Sequence, residues 1–162
     1  SDPYGPLRRI RARGGVSTSG WPRYAVPAVL IAGWTGALFL PVATTDHINE
    51  NQTFAGWMVL FLGTLFGWMT LQFAAYANPV FLLALAYSAW RGEEAGRRIL
   101  RISAVLLALG IVSALFWRNV PDDSGMNEII TYHTGYYVWL GVMAGAVGWL
   151  WFMARKSPTH TA

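Results

Sequence analysis

Long stretches without a single charged side chain dominate this protein. No Asp, Glu, Lys or Arg occurs from Tyr24 to Thr45, from Thr53 to Trp90, from Ile102 to Trp117 or from Ile129 to Ala154. A charge at the bilayer centre costs about 2.5–3.5 kcal/mol on scales taken from insertion experiments. A helix needs roughly 20 apolar residues to cross a hydrocarbon core of ~30 Å. Segregation on this scale predicts an integral membrane protein. Charged residues make up only 12% of the chain, against about 25% in soluble domains, and the mean hydropathy is +0.36. The connections between the apolar stretches are too short to house a soluble catalytic domain. Cysteine is absent, which removes disulfides, thiolate metal sites and thiol nucleophiles.

The expected fold is all-α, with four transmembrane helices. A basic arm covers 1–23, the membrane domain 24–153 and a tail 154–162, with spans at 24–42, 54–77, 102–117 and 134–153. The second apolar stretch is too long for one straight helix, and Asn78-Pro79 interrupts it. Proline removes a backbone donor and clashes with the preceding turn, and the residue before it is pushed away from helical angles. The break is therefore placed there, with a short helix over 79–90 lying at the interface or against its neighbours; the alternative is that both pieces cross as a tight hairpin, giving five spans. The third span is short and needs Arg101 and Arg118 to snorkel to opposite interfaces. Pro41-Val42-Ala43 is a poor signal-peptidase site, so the first span reads as a retained anchor.

Charge sets the orientation. The arm carries Arg8, Arg9, Arg11, Arg13 and Arg23 against Asp2, the connection after Trp90 carries Arg91, Arg97, Arg98 and Arg101 against Glu93 and Glu94, and the tail carries Arg155 and Lys156. The other two connections carry Asp46 and Glu50, then Asp122, Asp123 and Glu128 with Arg118. Four spans put every basic segment on one side, and the positive-inside rule makes that side, with both termini, cytoplasmic.

Gly63 and Gly67 are spaced for close helix packing, as are Gly141 and Gly145, extended by Gly148. They are expected to pack the spans together or to dock a separate subunit. Trp34 and Trp68 fall near mid-span, where their indole N–H groups need partners. Gln72 and Asn78 carry amides that must be satisfied across helices or at the proline break. These four residues are the candidate polar contacts for a lipid, quinone, carotenoid or other pigment.

Chemistry has little else to use. His47 and His133 lie among the acidic connections and are the candidates for a metal. Their spacing matches no ligand motif, so a solvated acidic surface without metal is expected. Neither stands mid-span, where a b-type haem or chlorophyll needs its axial ligand. There is no nucleophile elbow, no phosphate-binding loop and no pair of intramembrane carboxylates. No enzyme is expected, and no proton pathway through ionisable groups. Arg8, Arg9, Arg11 and Arg13 suit anionic lipid, at about 1 kcal/mol per base, or the face of a partner subunit. Nucleic acid is not an expected partner.

The strings Tyr76-Ala77-Asn78-Pro79 and Gly135-Tyr136-Tyr137-Val138-Trp139-Leu140 resemble strings in small multi-span proteins of bacterial inner membranes that have no assigned activity. The resemblance implies that location and transfers no functional residue. The expected function is a non-catalytic accessory subunit of a larger bacterial inner-membrane complex, of the energy-transducing kind (photosynthetic or respiratory). It would pack against other membrane subunits and against lipid, quinone or pigment, with no cofactor required by the sequence. Two alternatives stay open. One is a small homo-oligomeric channel or transporter lined by Gln72, Asn78 and Pro79. The other is a metal-binding membrane protein that uses His47 and His133 at the outer face.

Overall fold

The computed structural model describes residues 21–46, 51–69, 71–122 and 125–157. Along the chain lie α1 (Trp21–Phe39), β1 (Pro41–Thr45), β2 (Gln52–Ala55), α2 (Gly56–Phe66), α3 (Ala77–Arg91), α4 (Arg97–Leu115), β3 (Asn119–Asp122), β4 (Gly125–Tyr132) and α5 (Thr134–Lys156). A 3₁₀ turn at Phe73–Tyr76 leads into α3 and another at Gly92–Glu94 leaves it. Counting those turns, three helical segments are long and apolar enough to cross a membrane: Phe73–Glu94, Arg97–Leu115 and Thr134–Lys156. The chain is mostly helical and is a membrane protein.

Helices α1, α3, α4 and α5 pack around one interior. Phe81 and Leu85 of α3, Leu100 and Leu107 of α4, and Met143 and Leu150 of α5 are fully buried there, with Leu30, Ile31 and Trp34 of α1 packed against them. Lipid tails are as apolar as leucine, so close backbone approach, not hydrophobic burial, holds such helices together. The glycines supply that approach. A methyl group on Gly110 would stand 2.5 Å from the Ala77 Cβ, one on Gly33 would stand 2.9 Å from Val142 Cγ2, and one on Gly145 would stand 3.0 Å from Leu30 Cδ2.

One end of the bundle is basic. Arg23 donates to the carbonyls of Ala89 and Trp90, and Arg97 donates to the Ser157 carbonyl at 2.6 Å. These bonds gather the start of α1, the end of α3, the start of α4 and the end of α5. Arg91 and the pair Arg155 and Lys156 occupy the last turns of α3 and α5, where cations complement the negative end of the helix dipole. The guanidinium of Arg23 also satisfies carbonyls that have no partner within their own helix.

The opposite end carries an antiparallel sheet of order β2-β1-β4-β3. The all-α expectation is corrected here. Both acidic connections are paired strands, joined where Ala43 of β1 faces Tyr132 of β4. Val42 to Thr45 and Ile129 to Tyr132 are rich in β-branched and aromatic residues that favour extended backbone. Held side by side at the bundle end, two such runs satisfy their N–H and C=O groups on each other. Val42, Ala43, Thr45, Phe54 and Val120 are buried.

The second apolar stretch is also divided differently from expectation. Residues 54–77 do not form one helix: Phe54 belongs to β2, and α2 is an 11-residue helix, about 16 Å long at 1.5 Å per residue. The chain reverses over 67–72, with Leu71 in the left-handed region at φ 56°. The long helix then includes Asn78-Pro79. Pro79 is tolerated because it is the third residue of α3, inside the first turn, where backbone N–H groups have no helical partner anyway. The other spans differ only at their ends: α1 stops at Phe39 and yields to strand, while α4 begins at Arg97, ahead of the expected start.

Gly110→Ala should lower the thermal midpoint of the purified protein in detergent, by a destabilisation of about 1–3 kcal/mol from overpacking against Ala77. An unchanged midpoint would show that α3 and α4 do not meet this closely.

Candidate functional site

Two indoles converge on one amide in the half of the bundle nearer the sheet. Trp34 Nε1 of α1 donates to Asn78 Oδ1 at 2.7 Å, and Trp139 Nε1 of α5 donates to the same oxygen at 2.9 Å. The Asn78 amide nitrogen donates to the Ala75 carbonyl at 2.8 Å, within the 3₁₀ turn that precedes α3. A carbonyl oxygen has two lone pairs, and here both are used. Asn78 is buried, at 6% exposure. Farther along the same two helices, Trp149 Nε1 donates to Ser88 Oγ at 3.3 Å. The sequence separation is 61 residues in both α3–α5 pairs, so these helices run parallel and in step.

Beside this node lies a cavity of about 100 Å³, bounded by the ends of α1 and α4, the start of α5, α2 and the reversal at 67–72. Glycine and alanine make up eight of its twenty lining residues, with Trp117, Tyr136 and Trp139 as its aromatic side. Three of the donors around it are engaged. Trp117 Nε1 donates to the Asn119 carbonyl at 2.8 Å, Tyr136 Oη to the Ala114 carbonyl at 3.0 Å, and Gln72 Nε2 to the Phe116 carbonyl at 3.4 Å. Gln72 is among the lining residues, and its other amide atom is Oε1. It is shielded from solvent and has no hydrogen-bond partner.

The expected site residues therefore separate. Trp34 and Asn78 come together, and Gln72 joins them at the cavity. Trp68 does not: it is 63% exposed, and its Nε1 donates to the Leu65 carbonyl one turn back at 2.9 Å. Gly63 and Gly67 pack internally, Gly63 against Ala75 and Gly67 against the backbone of Gly63 and Gln72. Gly145 packs on Leu30, whereas added methyl groups on Gly141 and Gly148 would meet nothing within 4 Å. His133 pairs through Nε2 with Thr44 Oγ1 at 2.7 Å, and Thr44 in turn pairs with Thr53 at 2.8 Å. Among the described residues no three His, Asp or Glu side chains gather to hold a metal. His47 and the arm residues Arg8, Arg9, Arg11 and Arg13 lie outside the described residues.

Trp139 and Ser88 went unassigned in the sequence. The signal for both was a shared spacing: Asn78 and Ser88 are ten residues apart, as are Trp139 and Trp149. Two polar acceptors and two donors at equal intervals fit two parallel helices.

Around the sheet end, Tyr132, Tyr136 and Trp117 form an aromatic cluster, with 4.6 Å between the two tyrosine ring centroids. The Tyr132 hydroxyl donates to the Trp117 carbonyl. Burial, with a smaller contribution from Tyr137, holds its pKa above the ordinary phenol value against the opposing pull of Arg118. Compared with protein families, curated proteins and solved structures, the chain matches none.

Asn78→Leu should cost about 1–3 kcal/mol for each indole left without an acceptor, read as a lower thermal midpoint in detergent. No loss would mean that the two indoles find other partners. A second expectation concerns alkaline pH. The folded state keeps the Tyr132 proton above pH ~10, where the unfolded chain loses it. This contribution to stability is complete below that pH and fades as pH rises toward the folded pKa. Tyr132→Phe should flatten the fall in stability measured above pH ~10; an identical slope would remove Tyr132 as its source.

Proposed function

We propose that this chain is a non-catalytic accessory subunit of a larger complex in the bacterial inner membrane. In this reading α1 serves as the fourth span, and the basic bundle end, with both chain termini, faces the cytoplasm. The positive-inside rule supports that orientation, because the Arg23, Arg97 and Arg155 end is basic and the sheet end carries Asp46 and Glu128.

One observation carries the docking role: α5 exposes glycines that its own bundle does not use. Gly141 and Gly148 are exposed and meet nothing within 4 Å, and Gly36 on the adjoining α1 is equally open. The exposed positions of α4 are of another kind, namely Ile102, Val105, Leu109 and Val112. Bulky side chains suit acyl chains. Bare glycine in a helix interior costs about 1 kcal/mol relative to alanine, and in lipid that cost is recovered when another helix backbone approaches. The partner is accordingly a transmembrane helix of another subunit. The mid-bundle indoles and the apolar cavity suit complexes that work among lipids and pigments, so energy-transducing assemblies, photosynthetic or respiratory, are the class inferred. The channel alternative has no comparable support, since Asn78 spends its oxygen on two indoles.

Gentle detergent extraction of the tagged full chain from native membranes, followed by mass spectrometry, tests this. Stoichiometric recovery of core subunits is expected. A Gly141→Leu, Gly148→Leu double variant should reduce that recovery at least tenfold, which corresponds to roughly 1.4 kcal/mol, with no drop in its own thermal midpoint. Recovery of the wild-type chain alone, or only as a homo-oligomer, would overturn the reading, and the homo-oligomer would restore the channel.

A further inference from the structure

From the charges gathered where α4 begins and α5 ends we infer a binding site for the phosphate group of an anionic phospholipid. Two contacts join the helices there. Arg97 donates to the Ser157 carbonyl at 2.6 Å, and the guanidinium carbon of Arg101 lies 5.8 Å from the ring centroid of Trp151 on α5. A cation is attracted to an indole face at this distance, so Arg101 is held across the seam between the two helices. Among the described residues none of its five N–H donors has an oxygen acceptor. Trp151 is exposed, and its own N–H is likewise without an acceptor there.

Two more arginines flank this contact. Arg98 precedes Arg101 by three residues on α4, and Arg155 follows Trp151 by four on α5, spacings that put each pair on one helix face. Arg98, Arg101 and Arg155 are all exposed, within reach of a ligand. Among the described residues none of them pairs with a carboxylate. The acids next in sequence, Glu93 and Glu94, belong to the 3₁₀ turn ahead of α4. Three like charges gathered at one bundle end repel one another, and an anion from outside the chain offsets that repulsion. The planar fork of arginine matches the two free oxygens of a phosphodiester. A zwitterionic headgroup fits less well, because its ammonium meets no acid at this seam.

Beyond the cations the seam is apolar. Val105, Leu109 and Val112 follow Arg101 along α4 at steps of four and three, and all are exposed. On α5 the exposed Ala144 lies two turns from Trp151. Charge at one level, an indole beside it and branched side chains farther on match the layers of a phospholipid from phosphate to acyl chain. A soluble phosphate compound would use the arginines and leave that apolar run uncovered, so the occupant is a lipid. No other subunit takes part, and the site therefore stands or falls independently of the accessory role.

The test uses the purified full chain in phosphatidylcholine nanodiscs that contain rising mole fractions of phosphatidylglycerol, read as the thermal midpoint. A saturable rise is expected. The Arg101→Gln, Arg155→Gln double variant should need roughly tenfold more phosphatidylglycerol or beyond to reach half of that rise, since each base near an anionic surface contributes about fivefold. Arg91→Gln removes an exposed cation from the end of α3 and should move the half-saturation point by less than about twofold. An equal loss for Arg91→Gln would leave only diffuse surface charge and overturn the site. So would the absence of a saturable rise, or an equal rise with the soluble headgroup glycerophosphoglycerol in plain phosphatidylcholine. Should the double variant fail to fold, Arg155→Gln decides in its place, because that side chain makes no hydrogen bond or ring contact among the described residues. A loss of about fivefold supports the site, and an unchanged titration removes it.

Discussion

The side-chain oxygen of Asn78 fixes the register of three helices. Two indole N–H groups, one from α1 and one from α5, end on this single atom of α3. In an interior of low dielectric an unpaired indole or amide is expensive, so a slide of any of these helices by one residue breaks at least one of the two bonds. Apolar packing alone specifies no register, since one leucine row fits another almost as well one turn away. The same register sets Gly33 against Val142 and Gly145 against Leu30, and it brings Ser88 within reach of Trp149. The polar contact selects the arrangement, and close packing then stabilises it.

Much of the sheet end follows from that register. With α3 beginning at the level of Asn78, the chain between β2 and α3 has no room for a full span. It fits a short helix, a reversal at Gly67 and one turn of 3₁₀. Gly67 permits the reversal because a side chain there would strike the backbone of Gly63 and Gln72. Small residues line the inner side of this reversal, so the bundle closes around it with space left over. The sheet and the cluster of Trp117, Tyr132 and Tyr136 close that space on the far side from the basic end. The cavity is thus a consequence of the short α2, and Gln72 is the residue the reversal delivers to it.

The sequence disclosed the membrane character, because excluding charge from a helical length of chain is hard to achieve for any other reason. The need of Trp34 and Asn78 for polar partners was legible too, since an indole or amide at that depth must be satisfied. Their pairing was not, because a donor does not announce which acceptor it meets. The position of the break failed for a specific reason. Proline is the strongest single breaker, so Asn78-Pro79 outweighed Gly67, yet proline is harmless in a first turn and glycine commonly ends a helix. Gly63 and Gly67 have the spacing of a packing motif, and that spacing conceals the helix end between them. The strands escaped notice because Val42 to Thr45 and Ile129 to Tyr132 are each too short to show alternation. Their partner lies far along the chain, where a helical reading supplies no neighbour.

Glycine therefore carries three meanings in this chain, and spacing does not distinguish them. Gly67 ends a helix, Gly33, Gly110 and Gly145 let helices of the same bundle meet, and Gly36, Gly141 and Gly148 stand open. Gly141 and Gly145 belong to one motif and yet face different surroundings, one open and the other against Leu30. What decides is whether a methyl group added at each position would find a neighbour. Internal packing explains the second group and chain reversal the first. Neither explains the third, where a bare backbone is presented to lipid at a cost in helix propensity and no gain within the bundle. Since α4 shows that the same bundle can face lipid with branched side chains, the open glycines are not simply how this protein meets a bilayer. The proposed docking of a helix that is not part of this chain would account for them.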